Sequence, residues 1–460
     1  MSFIRAHKIE IGIFILALVL RFLYLDASIA HYGGVLTDAI HGADGYFEVS
    51  HNLIIGHGFT QSQSPPYIPY SFRPPLFFYF IYWFHTLFNG YWGVIILQMI
   101  LGSALPIIGM KLASYALNSR KLIITIGLLL ALDPQGILYS TFFYSEILFI
   151  FLFFLSLLYL FRYSKKKNFY DLIISGGVLG LACLTRPAIE YLPIIIAACL
   201  LWDAREYLSK KFFLHVGTYL LVFAAVISPW IYRNYVTFGV ADLSPQLGVN
   251  LYAVLLPSVL AVEHGTSWQQ EFAILTRAGV QGPNVADITK GGEYTKLALP
   301  LLLAHPKALA IVEADTAVSF FTSDGVLDTL RHIGASTNLR LGEPALFMLL
   351  SSPRTLFWFI AQVAMTPTIF VLFGRIFWFL ATGMFLYGAW RYLRREPRNL
   401  SALIMIAVVL YFALTTTLVS GFGITSRYRL PVNVFILVFA AYAVSVLISA
   451  LRRKRRGENA

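Results

Sequence analysis

The first polar stretch of the chain, HGADGYFEVSHNLIIGHGF at 41–59, concentrates groups able to move protons. A helix beginning near Ala43 sets Asp44, Glu48 and His51 at i, i+4 and i+7, on one face. A carboxylate there can accept a proton. Asp44 can equally cap the helix by accepting bonds from its first free amides. Asp38 is a second carboxylate nearby, and Tyr46 follows Asp44 closely. His41, His51 and His57 match no closed metal-binding spacing and read as surface histidines. Asp133, Glu146, Arg186, Glu190 and Arg375 lie in or beside long apolar runs. Burying charge in lipid is expensive, so each is either functional or a residue snorkelling at a helix end. Arg427 and Arg429 flank Tyr428, so in extended backbone they point to one side, either towards a site or as an ordinary loop or interface anchor.

The elements that must hold these groups follow from composition. Of 460 residues, 58% are hydrophobic and 13% charged, which soluble domains could not carry without large exposed apolar patches. The same figures exclude disorder. The expected class is an all-α polytopic membrane protein. Spanning a bilayer takes about 20 helical residues, and ten apolar runs approach that length: 9–25, 91–113, 122–142, 145–161, 171–186, 188–202, 212–232, 370–390, 400–420 and 431–451. Asp133-Pro134 can break the third of these. Leu76–Phe88 is too short to span and is expected in the interface. Cys183 and Cys199 sit in apolar runs and imply no disulfide.

With the N-terminus inside, alternating sides place 21 of the 35 Lys and Arg residues in short cytoplasmic turns and tails, as the positive-inside rule requires. Both termini are then cytoplasmic. The net charge of +12 is an orientation signal, and nucleic acid is not an expected partner despite the basic tail RRKRR. Basic residues before the first run and Ala-Ser-Ile-Ala at 27–30 resemble a cleavable signal, but retention is the expectation. Three parts follow: a membrane module over 1–232 with its first external loop at 26–90, an external helical cap over 233–369, and membrane helices with a basic tail over 370–460. The cap has Gly/Pro breaks, QGPN at 281–284 and TKGGEY at 289–294. No internal repeat appears, which weakens a transporter reading.

The chain resembles the GT-C glycosyltransferases. More narrowly it is similar to the branch of protein O-mannosyltransferases and the lipid A aminoarabinose transferase. The marks are Asp44 near Tyr46, NLIIGHGF at 52–59, FRPPLFFYF at 72–80, SEILF at 145–149, GLACLTRP at 180–187, PWIYRNY at 229–235 and SRYRLP at 426–431. In many relatives an acid stands four positions before the loop tyrosine, where this chain has Gly42. Asp44 is therefore the expected base, with Asp38 and Glu48 as substitutes.

The resemblance implies a GT-C-like bundle of about ten spans. It implies transfer of one sugar, with inversion, from a polyprenyl-phosphate donor to a lipid, glycan or protein acceptor on the external face. That chemistry needs a carboxylate base on one side of the sugar and cationic groups for the leaving phosphate on the other. Guanidinium forks match phosphate oxygens, which points to Arg186, Arg233, Arg427, Arg429 and Arg73, with Tyr46, Glu146 and Tyr428 in support. Arg73, before Pro74-Pro75, could instead brace the loop. No cofactor is assigned and metal dependence is open: a carboxylate near a phosphate can share a divalent cation, although no oxygen cluster is visible and no metal ligands are assigned. The expected location is the bacterial inner membrane. The rival is a flippase for lipid-linked sugars, with Asp133 and Arg375 as pathway charges.

Overall fold

The computed structural model describes residues 7–203, 209–277, 287–335, 352–366, 369–422 and 426–455. The turn QGPN at 281–284, and Arg5, Arg205 and Arg456 of the cytoplasmic basic set, lie outside the described residues.

The described chain is helical throughout, with no strand beyond one isolated bridge between Thr60 and Pro69. The protein is an all-α polytopic membrane protein. Eight described helices are long and apolar enough to cross a bilayer, or nine if the bent pair Lys290–Ala304 and Pro306–Thr322 is one span. We label those used below α1 (Lys8–His31), α2 (Tyr91–Ala113), α3 (Glu146–Lys166), α4 (Lys210–Phe238), α5 (Ile369–Arg395), α6 (Leu400–Ser420) and α7 (Asn433–Arg455).

Three of the ten expected spans come out shorter. The run 122–142 is helical only over Arg120–Ala131, then breaks at Asp133, whose carboxylate accepts the amide of Gln135 at 3.0 Å and starts the short helix Pro134–Leu138. Proline at the first helical position lacks the donor that would have continued the preceding helix. The backbone beyond it is satisfied inside the protein. Gln98 of α2 donates to the carbonyls of Tyr139 and Phe142 at 3.0 and 2.7 Å, and the amide of Phe143 reaches the carbonyl of Ile40 at 2.7 Å. Irregular backbone at membrane depth is tolerated only where protein supplies such partners. The runs 171–186 and 188–202 become Phe169–Cys183 and Leu192–Asp203, separated by an irregular segment around Arg186-Pro187. The residue before a proline is pushed out of the helical region, and Arg186 is extended at φ −146.

The 233–369 segment differs from expectation in the other direction. Gln246–His264 passes the same test of length and apolar character as the seven labelled helices, so among the described residues a candidate span lies inside the segment expected to be external.

The first helix is built into the bundle. Arg21 of α1 is buried and donates to Ser140 Oγ at 2.9 Å, the Ala17 carbonyl at 2.9 Å and the Gly136 carbonyl at 3.1 Å. Gly102 of α2 lies opposite, where an added Cβ would come within 2.2 Å of Ser140 Oγ. Both cysteines are buried and free.

Candidate active site

The loop before Tyr46 is shaped by two glycines in the left-handed region, Gly42 at φ +65 and Gly45 at φ +75. At Gly42 a Cβ would lie 2.6 Å from the ring of Tyr144, so neither the backbone nor the space admits a side chain. This accounts for the missing acid four positions before the tyrosine. The turn sends Asp44 inward instead. The helix begins at Tyr46 with Gly45 as its cap residue and no side-chain capping bond, so the capping role open to Asp44 is not the one it takes.

Asp44 faces two guanidinium groups, Arg73 at 3.2 Å and Arg427 in a direct charged hydrogen bond. Arg427 also donates through Nε to Glu146, and Arg186 donates to the same Glu146 oxygen. Five residues from five separated stretches thus form one chain of charge: Arg73, Asp44, Arg427, Glu146 and Arg186. Local sequence explains each placement. Arg73 precedes Pro74-Pro75, which lead into the helix Leu76–Phe88, and that helix is tied to the Arg186 segment by the Leu76 amide bonding the Leu184 carbonyl at 3.0 Å. Glu146 occupies the first turn of α3, where the free amides favour a carboxylate. Tyr46 is buried beneath, its hydroxyl donating to Ser145 Oγ at 2.9 Å and its ring 5.2 Å from the Arg73 guanidinium.

Burial raises the Asp44 carboxyl's pKa, but the field of Arg427, then Arg73 and Arg186, outweighs it and holds the group down at about 2. Among the described residues, the second oxygen of Glu146 has no hydrogen-bond partner although it is buried.

The cluster opens on a cavity of ≈ 360 Å³ that includes Arg73, Glu146, Arg186, Arg427 and Tyr428 in its walls. Its remaining walls include Phe149 of α3 and Phe412, Leu418 and Val419 of α6. Three cations and Glu146 therefore stand at the polar end of a cavity whose other walls are largely apolar, with Glu190 and Asp242 also in the wall and Asp44 bonded behind Arg73 and Arg427.

The expected residues separate. Asp44, Arg73, Arg186, Arg427, Glu146, Tyr46 and Tyr428 come together. Arg429 does not. Ser426–Tyr428 and Leu430–Val432 are single 3₁₀ turns, so the expected extended geometry is replaced by one with three residues per turn, and positions two apart diverge. Arg429 is fully buried, donating to Asn433 Oδ1 and the Phe320 carbonyl at 2.9 Å each and to the Ser323 carbonyl, with Trp378 3.8 Å from its guanidinium. It holds the fold. Arg233 stands away from the cluster, stacked on Trp230 at 4.7 Å and bonded to Asn234 at 2.9 Å. Glu48 pairs with His41 at 3.0 Å, and Asp38 is exposed with Thr37 3.4 Å away. The face shared by Asp44, Glu48 and His51 is not formed, because the helix begins after Asp44.

Asp133 belongs to the Arg429 network, accepting from Asn433 at 2.8 Å, and Arg375 pairs with Asp324 at 3.5 Å. Sequence reasoning passed over Arg21, whose charge inside the first apolar run was the available signal. Among the described residues, no group of three or more His, Cys, Asp and Glu side chains converges as a metal site.

Residues 72–232 match the family model described as dolichyl-phosphate-mannose-protein mannosyltransferase. The match bears out the GT-C resemblance. It takes in Arg73, Glu146, Arg186 and Arg233, while Asp44 and Arg427 lie outside it. Among solved structures, the chain is similar to the apo oligosaccharyltransferase of Archaeoglobus fulgidus at 15% identity and a TM-score of 0.48, over 96% of this chain and 52% of that one. It spans about half the length of that protein. ArnT from Cupriavidus metallidurans bound to undecaprenyl phosphate is similar at 15% identity and a TM-score of 0.41, over 97% of this chain and 80% of that one. The apo state of the same ArnT gives 14% identity and a TM-score of 0.38, over 98% and 80%. No curated protein matches significantly.

Proposed function

We propose that the protein is an integral membrane glycosyltransferase that moves one sugar from a polyprenyl-phosphate carrier to an acceptor, inverting the anomeric centre. The observation that carries this reading is the ion-pair cluster of Arg73, Arg186 and Arg427 with Asp44 and Glu146, of which the three arginines and Glu146 line the polar end of a largely apolar cavity. A prenyl chain suits the walls contributed by α3 and α6, and a phosphate suits the guanidinium groups. Asp44 is the base. The arginines by themselves hold its pKa at about 2, low for efficient proton transfer. The phosphate of a bound donor competes for the same guanidinium groups, weakens their hold on Asp44 and raises its basicity where the acceptor hydroxyl must lose its proton. Arg186 and Arg427 then stabilise the charge of the departing phosphate.

The site faces the periplasm of a bacterial inner membrane in this reading, with both termini cytoplasmic and the 233–369 segment as a cap over the membrane module of 1–232. The test supplies purified protein in bilayer nanodiscs with a panel of undecaprenyl-phosphate sugars. It follows release of undecaprenyl phosphate and the configuration of the product by mass spectrometry and NMR. Absence of turnover with every donor, or cytoplasmic labelling of a cysteine placed at Asp44, overturns the proposal.

A further inference from the structure

Arg427 and Tyr428 also form part of the wall of a second cavity, of ≈ 450 Å³. Its chemistry differs from the first. Tyr32, Tyr139, Phe142 and Tyr144 bring aromatic rings to it, and Asp328 and Arg331 of the helix Val326–His332 bring a carboxylate and a guanidinium. The Arg427 guanidinium lies 4.4 Å from the ring centre of Tyr144 and 5.7 Å from that of Tyr139, forming a partition between the two spaces. The base is next to it: Tyr144 Oη accepts the amide of Ala43, the neighbour of Asp44, at 3.1 Å.

We infer that this second cavity is the acceptor subsite and that it takes a carbohydrate, so that the acceptor hydroxyl belongs to a glycan. The inference rests on the glycosyltransferase reading above. Aromatic faces stack against the C–H faces of pyranose rings. Fixed carboxylate, guanidinium and phenol groups supply the paired donors and acceptors that vicinal hydroxyls require. The volume falls in the range of small-ligand sites, about 300–1,000 Å³, and holds a ring or two. The walls that could house a prenyl chain belong to the first cavity. Donor and acceptor therefore approach from opposite sides of Arg427, the side chain that bonds Asp44, which is the arrangement a direct displacement needs.

The experiment measures binding of three kinds of probe to the full chain in nanodiscs by saturation-transfer NMR and intrinsic fluorescence: undecaprenyl phosphate, a panel of neutral trisaccharides (maltotriose, mannotriose and N-acetylchitotriose), and a Ser/Thr-rich hexapeptide. Tyr32→Ala and Asp328→Asn are compared with wild type; Tyr32 is surface-exposed, so its truncation leaves the fold intact. The expected result is binding of at least one trisaccharide, weakened tenfold or more by either variant, with undecaprenyl phosphate binding unchanged. No trisaccharide binding, trisaccharide binding indifferent to both variants, or peptide binding that the variants abolish overturns the inference. Failure of wild type to bind undecaprenyl phosphate while trisaccharide binding stands overturns the donor reading and leaves the carbohydrate site in place.

Discussion

The guanidinium of Arg427 donates to the carboxylate of Asp44 across 383 positions of sequence, and its Nε holds Glu146 at the same time. One side chain from the segment before α7 thus joins the loop before Tyr46 to the start of α3. Electrostatically it is the centre of the site, since both anions depend on it. Ion pairs so enclosed are costly to break by removing one partner, because the other is left as an uncompensated charge.

Asp44→Asn is expected to lower sugar transfer by about 100-fold or more, the scale of a lost general base. Glu48→Gln and Asp38→Asn are expected to stay within threefold of wild type, since Glu48 is engaged by His41 and Asp38 is exposed. Initial rates with a radiolabelled polyprenyl-phosphate sugar separate the three carboxylates. Equal losses in all three would remove Asp44 from its role.

Arg427→Lys keeps the charge but loses the fork that reaches Asp44 and Glu146 together. Transfer is expected to fall by more than tenfold, with undecaprenyl phosphate inhibiting less strongly, because one ammonium cannot serve both carboxylates and a phosphate. Titration with undecaprenyl phosphate against transfer rate checks this.

The Asp44 pair also sets a pH dependence of stability. The folded carboxyl is held at about 2, below its ordinary value of 3.8. A depressed carboxyl contributes stability that is fully present above its unfolded pKa and is lost as pH falls through the folded one. The contribution is therefore constant from pH 8 to about 5 and disappears between about 4 and 2. Thermal unfolding in detergent, followed from pH 6 to pH 2, is expected to show a steeper acid loss in wild type than in Asp44→Asn.

Arg429→Ala is expected to act on folding and not on donor affinity. Removing it takes the guanidinium donor from Asn433 Oδ1 and from the Phe320 and Ser323 carbonyls in the interior, a loss on the order of 3 kcal/mol. The solubilised variant should melt several degrees lower, while any properly folded fraction keeps the wild-type KM for donor. A raised KM with an unchanged melting temperature would return Arg429 to the site.

A pair of glycines in α5 offers a packing test. At Gly388 a Cβ would come within 2.0 Å of the Phe439 carbonyl of α7, whereas at Gly383 nothing lies within 4 Å. Gly388→Ala forces the two helices apart and is expected to cost about 1–3 kcal/mol. Gly383→Ala is expected to be neutral or to stabilise by up to about 1 kcal/mol through helix propensity. Thermal melts of the two variants side by side give the answer.

By itself the sequence determined the class of the molecule, because apolar runs interrupted by few charges leave a chain no other solvent than lipid. It also singled out Asp44, Arg73, Glu146, Arg186 and Arg427, each from a charge at the edge of an apolar run or from a motif with proline or tyrosine beside it. What only tertiary structure decided was the sorting of like residues. Arg427 and Arg429 are two positions apart and identical in kind, and a 3₁₀ turn sends one to the carboxylates and the other to Trp378 and buried carbonyls. Glu48 stands as a substitute for Asp44 until the helix begins at Tyr46 and the Gly42–Gly45 turn aims just one of them inward. Periodicity reads one helix at a time, whereas an ion-pair cluster assembled from five distant segments exists only once the bundle has closed around it.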